Sequence, residues 1–531
     1  MQGCLKGLIA LCAVLGAVPV QAEEDVSLPA VHDARHAQPT PASPFSKDAP
    51  RAHGKQKTGG SLAFQRQRHA AMALGENDDE ADADRALTDV IAHAEFGGLP
   101  AGEQRDILSR AGWMAIRVDD YPRARRLLLR ATANGSDNPD DWYFLANLEA
   151  QRGDHAAAAR HLQRFVHGWP SLLEHVDTPS VLRIVHGMDD DAPARPELLQ
   201  SLFDSGWDNR GLGLSGLWYE LARLRVERGE RDAARAAIAR VVEPAALVKL
   251  RADRRFDGLV DPHAPAFDVE AAARRRVDDL RVLASERTNL LEARTELGLA
   301  LLMLGLHEEA LRSTDQALAI IREAPRDTPA FQDMDQHAWL LNNRAIALRR
   351  LGRIDEAHAD LLAASRMSEQ GMPNVSQALN LGQFLCQLGR PAEAKAAIAP
   401  AEDLSGYGRM VKVHVELCAA VQTGDRAAAK RALAYLRKHR ADSAAIWIEA
   451  LVESDRLDAA AKALADALAA PRTRGEMLAW LQQYREADPL PAYASTRERW
   501  RTLMARADVQ RAFSKVGRIQ RYDIFFGYGT E

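Results

Sequence analysis

From about residue 61 onward, apolar residues recur every three or four positions, with Ala, Leu, Arg and Glu prominent throughout. Runs of Val, Ile and Thr with period two are absent. A 3.6-residue period puts one apolar stripe on each helix, so the pattern predicts an almost wholly helical chain. Turns built on Gly, Asp or Asn separate segments of roughly 12 to 15 residues, three or four helical turns each. Helices of that length are marginal alone, because nucleation is costly. They must pack on neighbours.

The turns recur. Asp120, Gly153, Gly229, Gly305, Gly352, Gly389, Gly424 and Asp455 each stand between two amphipathic segments. Around Gly153 the chain reads Trp142, Leu145, Ala146, then Gly153-Asp154, then Ala158, Leu162, Phe165 and Pro170. The pattern returns as Trp218, Leu221, Ala222, Gly229, Ala234, Ile238, and as Leu297, Gly298, Leu301, Gly305, Ala310. It returns again as Leu381, Gly382, Leu385, Gly389, Ala394, Ile398. These residues resemble the tetratricopeptide repeat, a helix-turn-helix unit of about 34 residues. Small residues such as Ala146 and Ala158 let two helices approach, and Trp142, Leu145, Leu162 and Phe165 fill the space between them. One unit cannot bury its apolar face, whereas stacked units can. The resemblance spans roughly residues 101–474. It implies an all-α fold, an α-solenoid of tetratricopeptide-like repeats with a C-terminal helical cap.

Composition divides the chain further. Lys6, the apolar run from Gly7 to Val18 and the small-residue site Val20-Gln21-Ala22 read as a secretory signal over 1–22. That run is too short to span a bilayer comfortably. Residues 23–60 hold Pro29, Pro39, Pro41, Pro44 and Pro50, which remove backbone donors and fix φ, so a disordered leader is expected. A helical segment over 61–100 precedes an N-terminal repeat block over 101–267 and a C-terminal block over 268–474. The first block holds a degenerate unit, because Pro179, Pro193, Pro196 and Gly206 break the register. Residues 244–267 read as an irregular connector, and 322–336 as a second long connection. The last segment, 475–531, gathers Trp480, Tyr484, Tyr493, Trp500, Phe513, Tyr522, Phe525, Phe526 and Tyr528. It is expected to cap the stack or, through Phe525-Phe526-Gly527-Tyr528, to dock on a partner.

Charge and motifs narrow the function. A net charge of −5 and a pI near 6.4 provide no excess of cations to neutralise phosphates, so no nucleic-acid partner is expected. Gly211, Gly213 and Gly216 form a G-x-G-x-x-G, but no buried strand precedes it. His155, His161 and His167 are six residues apart, which turns successive rings off one helix face. The acidic run Glu76, Asp78, Asp79, Glu80, Asp82, Asp84 lacks the glycine and distal glutamate of a calcium loop. No catalytic residue, cofactor or metal site is expected.

The resemblance implies a non-catalytic scaffold whose partner is a peptide or protein segment, held by the first helices of the units along a concave face. An exported, periplasmic address is expected from the signal. The alternative is a periplasmic α-solenoid enzyme acting on the cell wall, which would need a separate catalytic module. On the repeat register the groove carries Tyr143, Asn147, Gln151, Tyr219, Arg223, Asn342, Arg349, Arg350, Gln383, Gln387, His414 and Gln422. Amides and guanidinium groups bond peptide carbonyls and carboxylates, and Tyr adds flat apolar area. A solvated face could carry such residues too. Cys386 and Cys418 fall on first helices of consecutive units. In an oxidising compartment they could pair, although helix axes about 8–10 Å apart leave two buried thiols as the alternative.

Overall fold

A computed structural model of the chain describes residues 60–74, 80–133, 135–176, 178–209, 211–325, 328–369, 372–402, 404 and 406–526. The expected signal, Cys4 and Cys12, the leader up to residue 59, the acidic residues 76–79 and Gly527-Tyr528 lie outside them. The described residues are dominated by α-helices of 8 to 18 residues. A two-residue antiparallel ladder, Ser368–Glu369 with Met372–Pro373, is the exception. No helix among the described residues is long and apolar enough to cross a membrane. The helices fall into two compact units, 60–209 and 211–526.

In the first unit, helices Ala101–Arg117 and Tyr121–Ala133 form one antiparallel pair, and Pro139–Gln151 and His155–Gly168 form the next. Gly153 closes the second pair at φ +83°, a left-handed conformation that costs a side-chain-bearing residue more. Asp154 then starts the following helix, its carboxylate accepting from the Ala157 amide at 2.9 Å. At the preceding turn Asp119 takes the left-handed position itself, at φ +59°. Leu108, Leu128, Ala131 and Leu145 are buried in a shared core, and Leu128 lies so close to Gly112 that a Cβ there would sit 2.6 Å from it. Helices Thr178–Gly187 and Ala194–Asp204 fill the proline-interrupted stretch.

In the second unit, the pairs are Ser215–Glu227 with Arg231–Ile238, Leu291–Met303 with His307–Glu323, and His337–Arg350 with Ile354–Ser365. Val375–Gln387 with Pro391–Ile398, Gly406–Thr423 with Arg426–Lys438, and Ala444–Glu453 with Leu457–Ala469 follow. First helices Leu291–Met303 and His337–Arg350 lie side by side, as do Val375–Gln387, Gly406–Thr423 and Ala444–Glu453 in succession. Gly382 allows the close approach of the two helices within its own pair: a Cβ there would meet Ile398 of Pro391–Ile398 at 2.4 Å. The glycine-rich G-x-G-x-x-G leads into helix Ser215–Glu227, and the Ser215 hydroxyl accepts from the Val242 and Glu243 amides, each at 3.0 Å.

This unit closes on itself. Helix Pro244–Ala252, within the stretch read as a connector, packs against helix Pro471–Trp480 at the far end of the stack. Lys249 and Glu476 form a buried ion pair across that seam. Gly475 leaves room for Tyr219, whose hydroxyl would lie 1.9 Å from a Cβ at that position. The Arg518 amide donates to the Ala252 carbonyl at 3.0 Å. The C-terminal segment therefore covers the last repeat and touches the first.

Candidate functional site

The first helices of the second unit present polar side chains to one another before they present them to a ligand. Asn380 donates to the Asn342 side-chain oxygen at 3.1 Å, and Asn343 donates to the Thr295 carbonyl at 2.9 Å. Asn342 is thus a buried link between helices, 5% exposed. A buried amide left unpaired would cost about 1–3 kcal/mol. Here it is paired.

Across the ends of these helices runs the chain's own C-terminal segment. Arg349 donates through Nη2 to the Asp488 carbonyl at 3.0 Å, and the Ala492 amide donates to the Gln387 carbonyl at 3.0 Å. The Phe525 amide donates to the Met303 carbonyl at 2.8 Å. The Phe525 ring sits beneath two guanidinium groups, Arg350 at 4.5 Å and Arg485 at 4.9 Å. His307 meets the same ring edge-on at 5.2 Å, and burial next to Arg350 and Arg485 pushes its imidazole down to about 4. Tyr522 and Phe525 are buried, and Phe526 stacks on Tyr484. The described part of the aromatic tail is spent within its own unit.

Between helices Val375–Gln387, Gly406–Thr423 and Ala444–Glu453 there remains a cavity of about 90 Å³. Gln383, Gln387, His414, Gln422, Glu449 and Glu453 line it from the repeats; Ala492, Tyr493, Thr496 and Trp500 close it from the C-terminal segment. Cys386 and Cys418 form a disulfide in its wall, with Cα atoms 6.4 Å apart. That separation is inside the range a disulfide spans, and shorter than helix axes because both side chains point into the interface. Gln422 braces the pair, donating to the Cys386 carbonyl at 2.7 Å and lying 3.2 Å from the Cys418 sulfur. His414 stands between two carboxylates, with Nε2 3.1 Å from Glu453 and Nδ1 4.0 Å from Glu449.

The remaining residues of the expected groove are distributed differently. Tyr143 is 8% exposed and packs on Phe165 at 5.5 Å. Asn147 donates back to the Tyr143 carbonyl at 3.0 Å, and Gln151 is exposed. Tyr219 is buried between Phe256 and Lys249, and burial pushes its hydroxyl far up. Arg223 is 2% exposed and bonds Glu220 and Glu227 on its own helix. Burial thus leaves Tyr143, Tyr219, Arg223, Asn342 and Arg349 little surface to offer a ligand. Gln383, Gln387, His414 and Gln422 are brought together at the cavity. Glu449, Glu453, Thr496 and the Tyr493–Trp500 wall were not among the groove residues read from the sequence. The carboxylates had a readable signal, two acidic positions four apart on a first helix.

Two stretches of the chain, 110–172 and 342–406, match the tetratricopeptide repeat family. The second includes Asn342, Arg349, Arg350, Gln383, Gln387 and Cys386. No curated protein matches the chain. Among solved structures, yeast Tom70 is similar at 10% identity and a TM-score of 0.31, covering 85% of this chain and 99% of that one. The Cut9 and Hcn1 hetero-tetramer of APC/C is similar at 13% identity and a TM-score of 0.28, covering 85% and 95%. Among the described residues, no group of three or more His, Cys, Asp or Glu is arranged to hold a metal ion.

Proposed function

We propose that this chain is an exported, non-catalytic interaction scaffold that holds a peptide or protein segment on the first helices of its tetratricopeptide-type units. The observation that carries the reading is the polar cavity at 375–453. Three consecutive first helices there turn Gln383, Gln387, His414, Gln422, Glu449 and Glu453 toward one space. Core packing would fill such a space with apolar side chains, because polar groups are costly to bury. The C-terminal segment supports the reading in a second way. Its backbone is already held at Ala492 by the Gln387 carbonyl on one of these helices and at Asp488 by Arg349 on helix His337–Arg350, the kind of contact an extended partner would make. Tagged protein, wild type and the Gln383→Ala, Gln387→Ala, Gln422→Ala triple variant, would be used to capture partners from the native envelope. Lost capture with unchanged helicity supports the scaffold surface. Undiminished capture by the variant moves the surface elsewhere.

A further inference from the structure

A second, larger cavity of about 610 Å³ lies within the C-terminal segment, and all of its lining but Arg350 comes from residues 480–526. Two pieces of local structure build it. On helix Ala494–Ala505, Arg497, Trp500, Arg501 and Met504 fall at i, i+3, i+4 and i+7, so one face carries two guanidiniums beside an indole and a thioether. The other piece is extended chain: the Gln483 amide donates to the Gln520 carbonyl at 3.0 Å, and the Tyr522 amide to the Gln483 carbonyl at 2.8 Å. Side chains alternate along such a stretch, which turns Ile519 and Arg521 to the same side, and both line the cavity.

The charged lining sets five guanidiniums, Arg350, Arg485, Arg497, Arg501 and Arg521, against one carboxylate, Glu486. In a chain of net charge −5 this is a local excess. Arg350 and Arg485 are engaged with the Leu302 and Leu304 carbonyls and the Phe525 ring, and Asp523 lies 3.7 Å from Arg485. Arg497 donates to the Ala487 carbonyl at 2.8 Å and shares Glu486 with Arg501, at 3.5 and 3.4 Å. Glu498 reaches Arg501 at 3.4 Å. A close charge-assisted bond measures about 2.7–2.9 Å, so these carboxylates hold Arg501 loosely, and its side chain is 60% exposed. Arg521 is exposed and pairs with no carboxylate among the described residues. Planar guanidiniums bind carboxylates and phosphates through paired donors. The half-buried side chains of Trp480, Trp500, Met504, Ile519 and Phe526 suit an apolar body beside such a group. The volume falls within the roughly 300–1,000 Å³ of small-molecule sites. Walled almost wholly by one segment, the space is a pocket rather than a groove running along the stack.

The geometry points to a binding site for a small organic oxyanion, a carboxylate or phosphate carried on a flat apolar body, held by Arg501 and Arg521 beside Trp500. The site goes beyond the scaffold reading and does not require it. The full chain is titrated calorimetrically with naphthalene-2-carboxylate, 2-naphthyl phosphate, neutral naphthalene-2-carboxamide, inorganic phosphate and a capped Glu-Trp-Glu peptide. One naphthyl anion per chain is expected to bind, at least about tenfold tighter than the carboxamide and than inorganic phosphate. The tighter of the two naphthyl anions names the head group. The Arg501→Gln, Arg521→Gln double variant, altered at exposed positions, should bind it at least about tenfold more weakly with unchanged helicity. The carboxamide or inorganic phosphate binding as tightly as the naphthyl anions, undiminished binding by the double variant, or no saturable binding overturns the inference. So does a peptide that binds more tightly than both naphthyl anions, which assigns the surface to a partner's acidic segment instead. If the double variant loses its helicity, the comparison of carboxylate with carboxamide on the wild type decides alone.

Discussion

Arg349 and Asp488, 139 residues apart, are joined by a guanidinium donating to a main-chain carbonyl. The bond anchors the C-terminal segment to the middle of the stack. Arg349 is 5% exposed, so losing it both frees a carbonyl and opens space. Hydrogen bonds to charged groups contribute about 1.5–3 kcal/mol. Arg349→Ala is therefore expected to loosen residues 481–493, seen as faster amide exchange there with little change in the 139–168 helices. Unchanged exchange at 481–493 would show that the anchor lies elsewhere.

The disulfide gives a prediction with two readouts. Digestion without reductant should yield the Cys386 and Cys418 peptides linked to each other. The bond closes a loop of sequence separation 32, and disulfides typically stabilise by about 2–4 kcal/mol. Replacing both cysteines by Ala should lower the denaturation midpoint accordingly, whereas unlinked peptides from the untreated protein would contradict the bond.

Gly382 sits where a Cβ would meet Ile398 at 2.4 Å, with Val415 3.4 Å away. Overpacking of this kind costs about 1–3 kcal/mol. Gly382→Val should show that loss by urea unfolding. At Gly352, with nothing within 4 Å of a would-be Cβ, a substitution would be strained by conformation alone, at φ +76°.

Asp141 predicts a pH response of the first unit. Its carboxyl is buried against Ser109 and Ser136, at 2.6 and 2.5 Å, and burial pushes it up to about 6 from an ordinary value near 3.8. The folded chain therefore holds this proton more tightly than the unfolded chain. The associated stability is complete below about pH 4 and is lost as the pH rises through 6. Asp141→Asn should flatten the stability profile between those limits, by an amount on the order of 2 kcal/mol. A wild-type profile that rises through that window, and is unaltered by the substitution, would contradict the assignment.

Export is tested at the N-terminus. Protein recovered from native cells should begin at Glu23, with the apolar run 7–18 removed; a sequence still starting at Met1 would end that reading.

Helix type, turn positions and repeat class were legible because they depend on local chemistry: an apolar stripe every 3.6 residues and a left-handed turn at Gly153, Gly305 or Gly389. Which polar residues face outward was less legible. Asn342 and Arg223 carry groove-like chemistry, but one links two helices and the other pairs within its helix. Such pairing depends on neighbours 38 residues away or on rotamers, neither visible in a repeat register. The stretch 244–267 looked irregular because its prolines break the period. Its first nine residues are nonetheless helical, stabilised by a helix more than 200 positions later. The cavity's aromatic wall had the same origin, in a segment recognised for its composition but not for its destination.

The seam between Pro244–Ala252 and Pro471–Trp480 changes how this unit should come apart. In an open array each repeat touches only its neighbours, and unfolding can begin by peeling from either end. Here the two ends protect each other, so the stack has no terminal repeat to peel. Lys249 and Glu476 act as a latch: opening it exposes both ends at once and releases the C-terminal segment from Ala252. Unfolding of 211–526 should then be all-or-none despite its repetitive build, and a chain shortened before Pro471 should lose protection at Ser215–Ala252 as well as at the cut.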